Sequence, residues 1–340
     1  MAPTRAATLT DVAAEAGVSL ATASRALNGS DRVVREELRT RVVEAAVRLG
    51  YTANAQAQAM ARGSTDVVGL LVNDIADPYF STIAAGLAAA AEEQQLLVML
   101  CSTGGRPERE LEFLSALRRQ RGRAIILAGS RTSDRRHLGE VSRQLESFIG
   151  SGGRVAAITQ PRLPVDTVVV DNRGGAHALA TELAGLGYRR AAVLAGPEPL
   201  LVSRERRDGF VAGWKAAVGT DPVCVADDFS RDGGHRAMTR LLDQAPDVDC
   251  VFAANDLMAM GAMATCRERG VRVPKDLGLA GFDDIVSLRD VTPALTTVRL
   301  PLADMGRMAL ELVVGPPEDT LRRPKVKGEV VLRESTPARR

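Results

Sequence analysis

The first fifty residues carry three apolar stripes at helical spacing, separated by turn residues. Thr10 precedes the first stripe as a predicted N-cap, and Gly17 ends it, because glycine adopts the left-handed conformation of a helix C-terminus without strain. Ser19 predicts the start of a second helix, and a third runs from about residue 35 to 49 with Gly50 as its stop. Helical periodicity places these residues on the inward faces: Val12, Ala13, Ala16, Ala23, Ala26, Leu27, Leu38, Val42, Ala45, Ala46 and Leu49.

A tight Gly-Val-Ser turn at residues 17–19 joins the first two helices, which is the spacing of a helix-turn-helix. The periodicity alone fits a three-helix bundle that binds nothing equally well, so both alternatives stay open here. Residues 54–64 have high helix propensity but are too few for a helix that is stable alone in water. We therefore expect either a segment that folds on DNA or a plain flexible linker.

From Val67 onward, short β-branched and apolar runs alternate with helical stretches. Helices are predicted over residues 80–95 and 108–120, and a longer polar helix within 130–152. This alternation predicts an α/β fold with parallel sheets covered by helices, in which ligands bind at the carboxyl ends of strands or between two domains. The predicted strands are residues 67–72, 96–101, 124–128, 154–158, 168–170, 191–196, 250–254 and 277–282.

The composition limits the functional class only loosely. A chain of 340 residues with 45% apolar content is long enough for two or three domains with proper cores. Residues 1–62 hold eight arginines against six acidic residues, a balance that alone does not identify a nucleic-acid binder. The N-terminus lacks the apolar stretch of a secretory signal, and no run approaches the ~20 apolar residues of a membrane span. We therefore expect a soluble, cytoplasmic protein that does not contact membranes.

Sequence motifs for catalysis and metal binding are missing. No GxGxxG follows the first predicted strand, and the sequence contains no GxSxG or HExxH. The four cysteines lack CxxC spacing and are predicted to be buried free thiols. His137, His177 and His235 are predicted to be surface or capping residues rather than members of a catalytic triad. The sequence thus predicts no enzyme, no metal and no cofactor.

Several blocks of the sequence resemble one known family. TLTDVAAEAGVSLATASRALNG at 8–29 and RVVEAAVRLGYTAN at 41–54 resemble the DNA-binding head of the lactose-repressor (LacI) family. The similarity continues along nearly the whole body, in the family's order. Its clearest blocks are DPYF at 77–80, RRDGF at 206–210, NDLMAMGAM at 255–263, GLAGFDD at 278–284 and VVLRESTP at 330–337.

The resemblance implies a small all-α helix-turn-helix head followed by an α/β body with parallel sheets. That body is similar to periplasmic sugar-binding proteins and has two subdomains. The head is predicted at residues 8–53, a hinge helix or linker at 54–64, and an effector-binding and dimerisation domain at 65–340. The implied subdomains are an N-subdomain of about 66–166 and 298–325 and a C-subdomain of about 167–297 and 326–340.

By the same resemblance, Leu20, Ala21 and Arg25 on the second helix face base edges in the major groove. Arg25 has the geometry for a bidentate contact to guanine, whereas Leu20 and Ala21 offer only apolar surface, for instance to a thymine methyl. Met60 takes the position of an apolar wedge in the minor groove. Thr22 and Ser24 are implied to contact the DNA backbone and Asn28 to support the turn; the other predicted DNA-binding residues are Thr10 in the head and Asn54 and Gln58 at the hinge.

The resemblance also implies an effector pocket. Its lining residues are Tyr79, Phe80, Arg206, Phe229, Asn255 and Asp283. The three polar members form a set of donors and acceptors that suits the vicinal hydroxyls of a sugar, and the aromatic members offer faces for stacking. Structural alternatives exist for each: Asn255 as a helix cap, Asp283 in an ordinary turn, and the aromatic residues in the core.

These features together predict a ligand-responsive transcriptional regulator, most simply a repressor, that binds double-stranded operator DNA. Two heads would read a palindromic site in a homodimer or a dimer of dimers, and a sugar or sugar derivative would act as inducer or co-repressor. Two alternatives remain at this point. One is a cytoplasmic small-molecule-binding protein that does not regulate DNA, and the other is a regulator that responds to a nucleoside or purine.

Overall fold

The computed structural model describes residues 7–27, 34–51 and 65–339 in full, and Asn28 by its backbone. The chain forms two compact units, one within residues 1–65 and one within 66–340. Within the described ranges, no helix is both long and apolar enough to span a membrane.

The smaller unit contains the predicted three helices, α1 (Leu9–Ala16), α2 (Leu20–Asn28) and α3 (Glu36–Arg48). Thr8, and not Thr10, is the N-cap of α1: its Oγ1 accepts a hydrogen bond from the Asp11 amide, and Asp11 Oδ2 accepts one from the Thr8 amide. This reciprocal capping box requires an acidic or amide side chain three residues after the cap. The prediction of Thr10 as cap was wrong because Ala13 stands three residues after it.

The core of the small unit consists of small apolar side chains. Gly17 ends α1 at φ +65°, as predicted, and Arg41 Nη2 donates to the carbonyl of Ala16 at 2.6 Å, which ties α3 to the end of α1. Leu49 was predicted to face inward but is 38% exposed, because it lies just beyond the end of α3. The buried residues are Val12, Ala13, Ala16, Ala23, Ala26, Val42, Ala45 and Ala46.

The larger unit alternates strands and helices, as the sequence predicts. Its first half contains β1 (Val67–Val72), α4 (Pro78–Glu93), β2 (Leu97–Ser102), α5 (Pro107–Arg119), β3 (Ala124–Ala128), α6 (Arg135–Gly150), β4 (Arg154–Ile158) and β5 (Asp166–Val170). Its second half contains α7 (Asn172–Gly185), β6 (Ala191–Ala195), α8 (Leu201–Val218), β7 (Val223–Ala226), α9 (Arg231–Gln244), β8 (Cys250–Ala253), α10 (Asp256–Glu268), β9 (Gly278–Ala280), β10 (Thr297–Arg299), α11 (Leu302–Val314), β11 (Lys325–Val326) and β12 (Glu329–Val331).

Two parallel sheets organise this unit. One has the strand order β11-β5-β4-β3-β1-β2 and the other β7-β6-β8-β9, while β10 and β12 form a separate antiparallel pair. The chain leaves the first sheet after β5, returns to it with α11 and β11, and leaves it again before β12. The predicted subdomain boundary at 166/167 falls at the start of β5, which hydrogen-bonds to β4. The subdomain limits themselves stay a prediction.

Glycines bring the covering helices into close backbone contact. A Cβ at Gly86 of α4 would collide with the carbonyl of Ala303 in α11, and one at Gly261 of α10 with the carbonyl of Arg231 in α9. The helix pairs therefore pack closely without side chains between them at these points. Among the cysteines, Cys101, Cys250 and Cys266 are buried as predicted; Cys224 is exposed, so the prediction fails there.

Candidate functional site

The predicted pocket residues surround one cavity of about 230 Å³ in the larger unit. They come from separate elements: the start of α4, the middle of α8, the turn between β7 and α9, the N-cap of α10, and the residue position three beyond β9. Four of these segments follow the carboxyl ends of parallel strands, where α/β folds place ligands. The six side chains are those of Tyr79, Phe80, Arg206, Phe229, Asn255 and Asp283.

Arg206 and Asp283 form a buried bidentate ion pair at this cavity. The two Nη–Oδ distances are 2.7 and 3.2 Å, and the two side chains are 3% and 6% exposed. Arg206 makes two further hydrogen bonds: Nη1 donates to the carbonyl of Ala254 at 2.9 Å and Nε to Asn172 Oδ1 at 3.0 Å. The guanidinium also lies 3.9 Å from the centre of the Phe282 ring. These partners offset the cost of burying the two charges.

Two further features distinguish Asp283: a raised pKa and an unusual backbone conformation. Burial raises its pKa to about 7, and the nearby Asp256 carboxyl also raises it, although the Arg206 charge acts in the opposite direction. Its backbone lies at φ +117°, and Asp284 follows at φ +56°, conformations that cost non-glycine residues free energy. The Asp284 carboxylate binds Arg299 Nε and Arg333 Nη2, both at 2.7 Å. Asp283 is therefore adjacent to a carboxylate that contacts both β10 and the segment after β12.

Asn255 serves as a helix cap and also lines the cavity. Its Oδ1 accepts a hydrogen bond from the Met258 amide at 2.8 Å, so the capping alternative considered for the sequence is present in the structure. The neighbouring Asp256 is fully buried and accepts bonds from the Thr297 hydroxyl and the Ile285 amide. Burial raises the pKa of Asp256 to about 6, although both of these hydrogen bonds lower it.

The aromatic residues form two parts of the cavity wall. Asp77 caps α4 by accepting a bond from the Tyr79 amide at 2.9 Å, and Pro78 fits the first helical position, which fixes the rings that follow. Tyr79 and Phe80 pack edge to face with centroids 5.0 Å apart. Phe229 lies against Gly196, where a Cβ would come within 2.6 Å of the ring. A flat apolar face is thus available beside the polar groups.

A second charged cluster lines the cavity and was missed by the sequence analysis. Arg131 Nη1 contacts Glu110 Oε1 at 2.6 Å, and His137 Nε2 contacts Glu110 Oε2 at 2.7 Å. The prediction of His137 as a surface or capping residue was wrong, because its side chain is only 12% exposed and faces Glu110. The sequence held one signal: Glu110 stands in the apolar stripe of α5 with Leu114 and Leu117, where a charge is unusual.

One wall of the cavity joins the segments that follow β3 and β6. Thr132 and Leu200 form an antiparallel bridge. Ser133 N donates to the Pro199 carbonyl, Leu201 N to the Arg131 carbonyl, and Val202 N to Ser130 Oγ, at 2.9 to 3.1 Å. Because β3 and β6 belong to different sheets, these three hydrogen bonds connect the two halves of the larger unit.

The candidate nucleic-acid interface is the outward face of α2 in the smaller unit. Leu20 is 51% exposed and Ala21 is exposed, while Thr22, Ser24 and Arg25 are partly buried. Arg25 Nε donates to the Ala21 carbonyl at 2.9 Å, so its guanidinium lies along its own helix.

The helix start is also ordered. Ser19 Oγ accepts a bond from the Thr22 amide, as the predicted cap requires, and contacts the Thr22 hydroxyl. Thr10 is exposed on α1. The remaining predicted DNA contacts, the Asn28 side chain and Asn54, Gln58 and Met60, lie outside the described residues.

Comparisons with known proteins agree with the division of the chain into a smaller and a larger unit. Residues 8–54 match the family described as bacterial regulatory proteins, lacI family, and residues 180–336 match the periplasmic binding protein-like domain. The HTH-type transcriptional regulator GalS of Salmonella typhimurium is 32% identical over 90% of this chain and 89% of its own length. The HTH-type transcriptional regulator CelR of Thermobifida fusca is 35% identical over 90% of this chain and 91% of its own length.

Solved structures give the same picture. A complex of the transcriptional regulator CelR with cellobiose matches with a TM-score of 0.70 and 30% identity over 97% of this chain and 99% of that one. The lac repressor dimer bound to operator and the anti-inducer ONPF matches with a TM-score of 0.82 over 98% of this chain and 100% of that one. Its identity of 23% supports a common fold only.

Proposed function

This chain belongs to the LacI family of bacterial transcriptional regulators, and on that premise we propose that it is a cytoplasmic repressor controlled by a small sugar-like effector. In this proposal, its head binds a palindromic operator as part of a homodimer. The effector occupies the cavity lined by Tyr79, Phe80, Arg206, Phe229, Asn255 and Asp283, and its binding changes the affinity of the head for DNA.

The observation that carries the proposal is the convergence of six side chains from five separate segments on one cavity. Arg206 and Asp283 offer rigid, buried polar atoms, and Tyr79 and Phe229 offer apolar faces beside them. Sugars present this combination of hydroxyl groups and an apolar ring face. The cavity volume of about 230 Å³ lies below the usual range of about 300–1,000 Å³ for drug-sized ligands, which favours a monosaccharide-sized effector.

Apolar side chains disfavour the nucleobase alternative. Leu200 and Val202 line the cavity and offer no hydrogen bonds to a base edge. CelR, whose structure is known with cellobiose, supports the sugar class as a relative and does not identify the ligand here. The sugar-like effector is therefore the better supported of the two.

The DNA-binding part of the proposal rests on the head. Its first two helices are joined by a turn of three residues, and the outward face of α2 exposes Leu20 and Ala21 next to Arg25. The Arg25 bond to the Ala21 carbonyl uses only Nε, so Nη1 and Nη2 can contact guanine without breaking it, whereas Leu20 and Ala21 have no side-chain donors or acceptors. Specificity should therefore depend on few base hydrogen bonds.

Self-association is supported by the edge of the six-stranded sheet. β2 is the terminal strand, and Leu97 and Leu100 on it are 69% and 41% exposed. An exposed apolar edge strand is costly in a monomer and is commonly covered by a partner. A second copy of the chain would cover it and bring two heads to one palindromic site.

Two measurements on the full chain test the proposal. In a thermal-shift screen of sugars, sugar alcohols and nucleosides, we expect neutral monosaccharides to raise the melting temperature, since a ligand of the folded state stabilises it by mass action. In fluorescence anisotropy, we expect a sequence-specific complex with DNA from upstream of the chain's own gene, weakened by the sugar that binds. Sugar binding without a specific DNA complex would instead establish a small-molecule-binding protein that does not regulate transcription.

A further inference from the structure

We propose that Glu110 sets the charge class of the effector: by neutralising Arg131 in the cavity wall, it makes the cavity accept an uncharged sugar and reject phosphorylated or acidic sugars. This inference rests on the proposed function, because it assumes a sugar-like ligand in the cavity. It adds a specificity role for three residues of the wall, Glu110, Arg131 and His137.

The geometry uses both oxygens of Glu110. Oε1 accepts from Arg131 at 2.6 Å and Oε2 faces His137 Nε2 at 2.7 Å, and the three side chains are only 9 to 12% exposed. Burial alone would raise the pKa of Glu110, but the charge of Arg131 and the hydrogen bonds from Arg131 and His137 lower it. Glu110 is therefore ionised at neutral pH and cancels the charge of Arg131.

The other charged groups of the wall are balanced as well. Above pH 7, where Asp283 is ionised, it neutralises Arg206, which leaves Asp77 and the exposed Arg106. Around the cavity, three arginines stand against three carboxylates. A phosphate or carboxylate entering this space would lose its hydration without meeting an unpaired buried cation, which is unfavourable. A hydroxyl group needs only a donor or an acceptor and carries no such cost.

A purely structural ion pair is the competing explanation. Buried ion pairs contribute little net stability compared with apolar residues, and this one stands in a cavity wall rather than in the packed core. In addition, Arg131 Nε is one of two buried side-chain nitrogen or oxygen atoms without a hydrogen-bond partner among the described residues. A pair that served stability alone would have its donors satisfied.

The decisive variant is Glu110→Gln, which keeps the side-chain size but removes the negative charge, and so leaves the Arg131 charge unbalanced. Isothermal titration calorimetry at pH 8, where Asp283 is ionised, would compare glucose, galactose and ribose with glucuronate, galacturonate, glucose 6-phosphate and ribose 5-phosphate. For the wild type, we expect the bound neutral sugar to be favoured at least about tenfold over its anionic counterpart. In Glu110→Gln, we expect this ratio to fall by at least about tenfold, because the anion now meets a free guanidinium.

Two controls separate charge from damage to the fold. Glu112→Gln changes an exposed glutamate on the same helix and should leave the ratio unchanged. The double variant Glu110→Gln/Arg131→Gln has neither charge and should again reject anionic sugars. A ratio that is the same in the wild type and in Glu110→Gln, with neutral sugar still bound, would overturn the inference and leave the proposed function intact.

The wild type alone also tests the idea, whether or not the variants fold. Tighter binding of an anionic sugar than of its neutral counterpart would refute the role of Glu110. If no sugar of either class binds, the proposed function fails, and the inference fails with it.

Discussion

Asp283 combines an unfavourable backbone with a buried charge. Its φ of +117° and the φ of +56° at Asp284 each cost about 1–3 kcal/mol for non-glycine residues. The ion pair with Arg206 on one side and the contacts of Asp284 with Arg299 and Arg333 on the other hold this conformation. Such strain is typical of ligand sites, where the position of a side chain matters more than local stability.

The raised pKa of Asp283 gives effector binding a pH dependence. In the proposed complex, the Asp283 carboxylate would accept hydrogen bonds from ligand hydroxyls, and the protonated acid would no longer pair fully with Arg206. Because its pKa in the folded chain is about 7, we expect effector affinity to fall as the pH is lowered from 8 to 6, by up to about tenfold per unit below the pKa. Calorimetric titration with the bound sugar at several pH values measures this.

Stability should move in the opposite direction. Folding raises the pKa of Asp283 from 3.8 to about 7, so the folded chain binds the proton more tightly, and this group's contribution to stability falls as the pH rises from about 4 to 7. Asp283→Asn is the control. It should bind the effector weakly, and its effector affinity should show no change with pH near 7. A step that persists in this variant would assign the titration to another group, such as Asp256 with its pKa of about 6.

At the scale of elements, a cap determines where the head begins. We expect Thr8→Ala to destabilise the head by about 0.5–2 kcal/mol, because the Asp11 amide loses its acceptor. DNA affinity should fall with it, while sugar binding in the body stays the same. Chemical denaturation of the full chain would combine the unfolding of the two units, so hydrogen exchange of α1 amides in the full chain is the suitable measurement.

Thr10→Ala is the matched control for this cap. Thr10 is exposed within α1, so its removal should leave head stability unchanged within about 0.5 kcal/mol. Any loss of DNA affinity in this variant would then come from a direct contact. Equal destabilisation by the two substitutions would contradict the capping box.

The contact between α9 and α10 depends on a glycine. A methyl group at Gly261 would collide with the Arg231 carbonyl of α9, so we expect Gly261→Ala to lower the free energy of unfolding by about 1–3 kcal/mol. Gly139→Ala in α6 meets no atom within 4 Å and should be neutral or stabilising by up to about 1 kcal/mol. Urea denaturation of both variants measures the two free energies of unfolding. Equal values would mean that α9 and α10 can move apart without a cost in stability.

The sequence predicted the secondary-structure elements better than it predicted the tertiary contacts between them. All eight predicted strands are present within two residues at each end, because each is a compact apolar run. β7 was missed because its short VCVA run is mostly exposed at a sheet edge, and β10, β11 and β12 because two or three residues carry no periodicity. Arg131 and His137 follow Glu110 by 21 and 27 positions, and only the packing of α5 and α6 against the end of β3 brings the three side chains together.

At the scale of the whole molecule, regulation requires reciprocal coupling between cavity and head. If the bound sugar lowers operator affinity by some factor, operator DNA must lower sugar affinity by the same factor, which is about 5–150-fold in typical systems. Anisotropy titrations of DNA with and without sugar, and sugar titrations with and without DNA, measure both sides. Unequal factors would show that the sugar binds at more than one site or that the chain changes its oligomeric state.

The wall that links Ser130, Arg131 and Ser133 to Pro199, Leu201 and Val202 has a consequence for effector binding. Separating the two sheets there would break three hydrogen bonds, at a net cost of about 1 kcal/mol each. The chain itself therefore supplies bonds that hold this wall together, and little of an effector's binding energy would be consumed in shaping it.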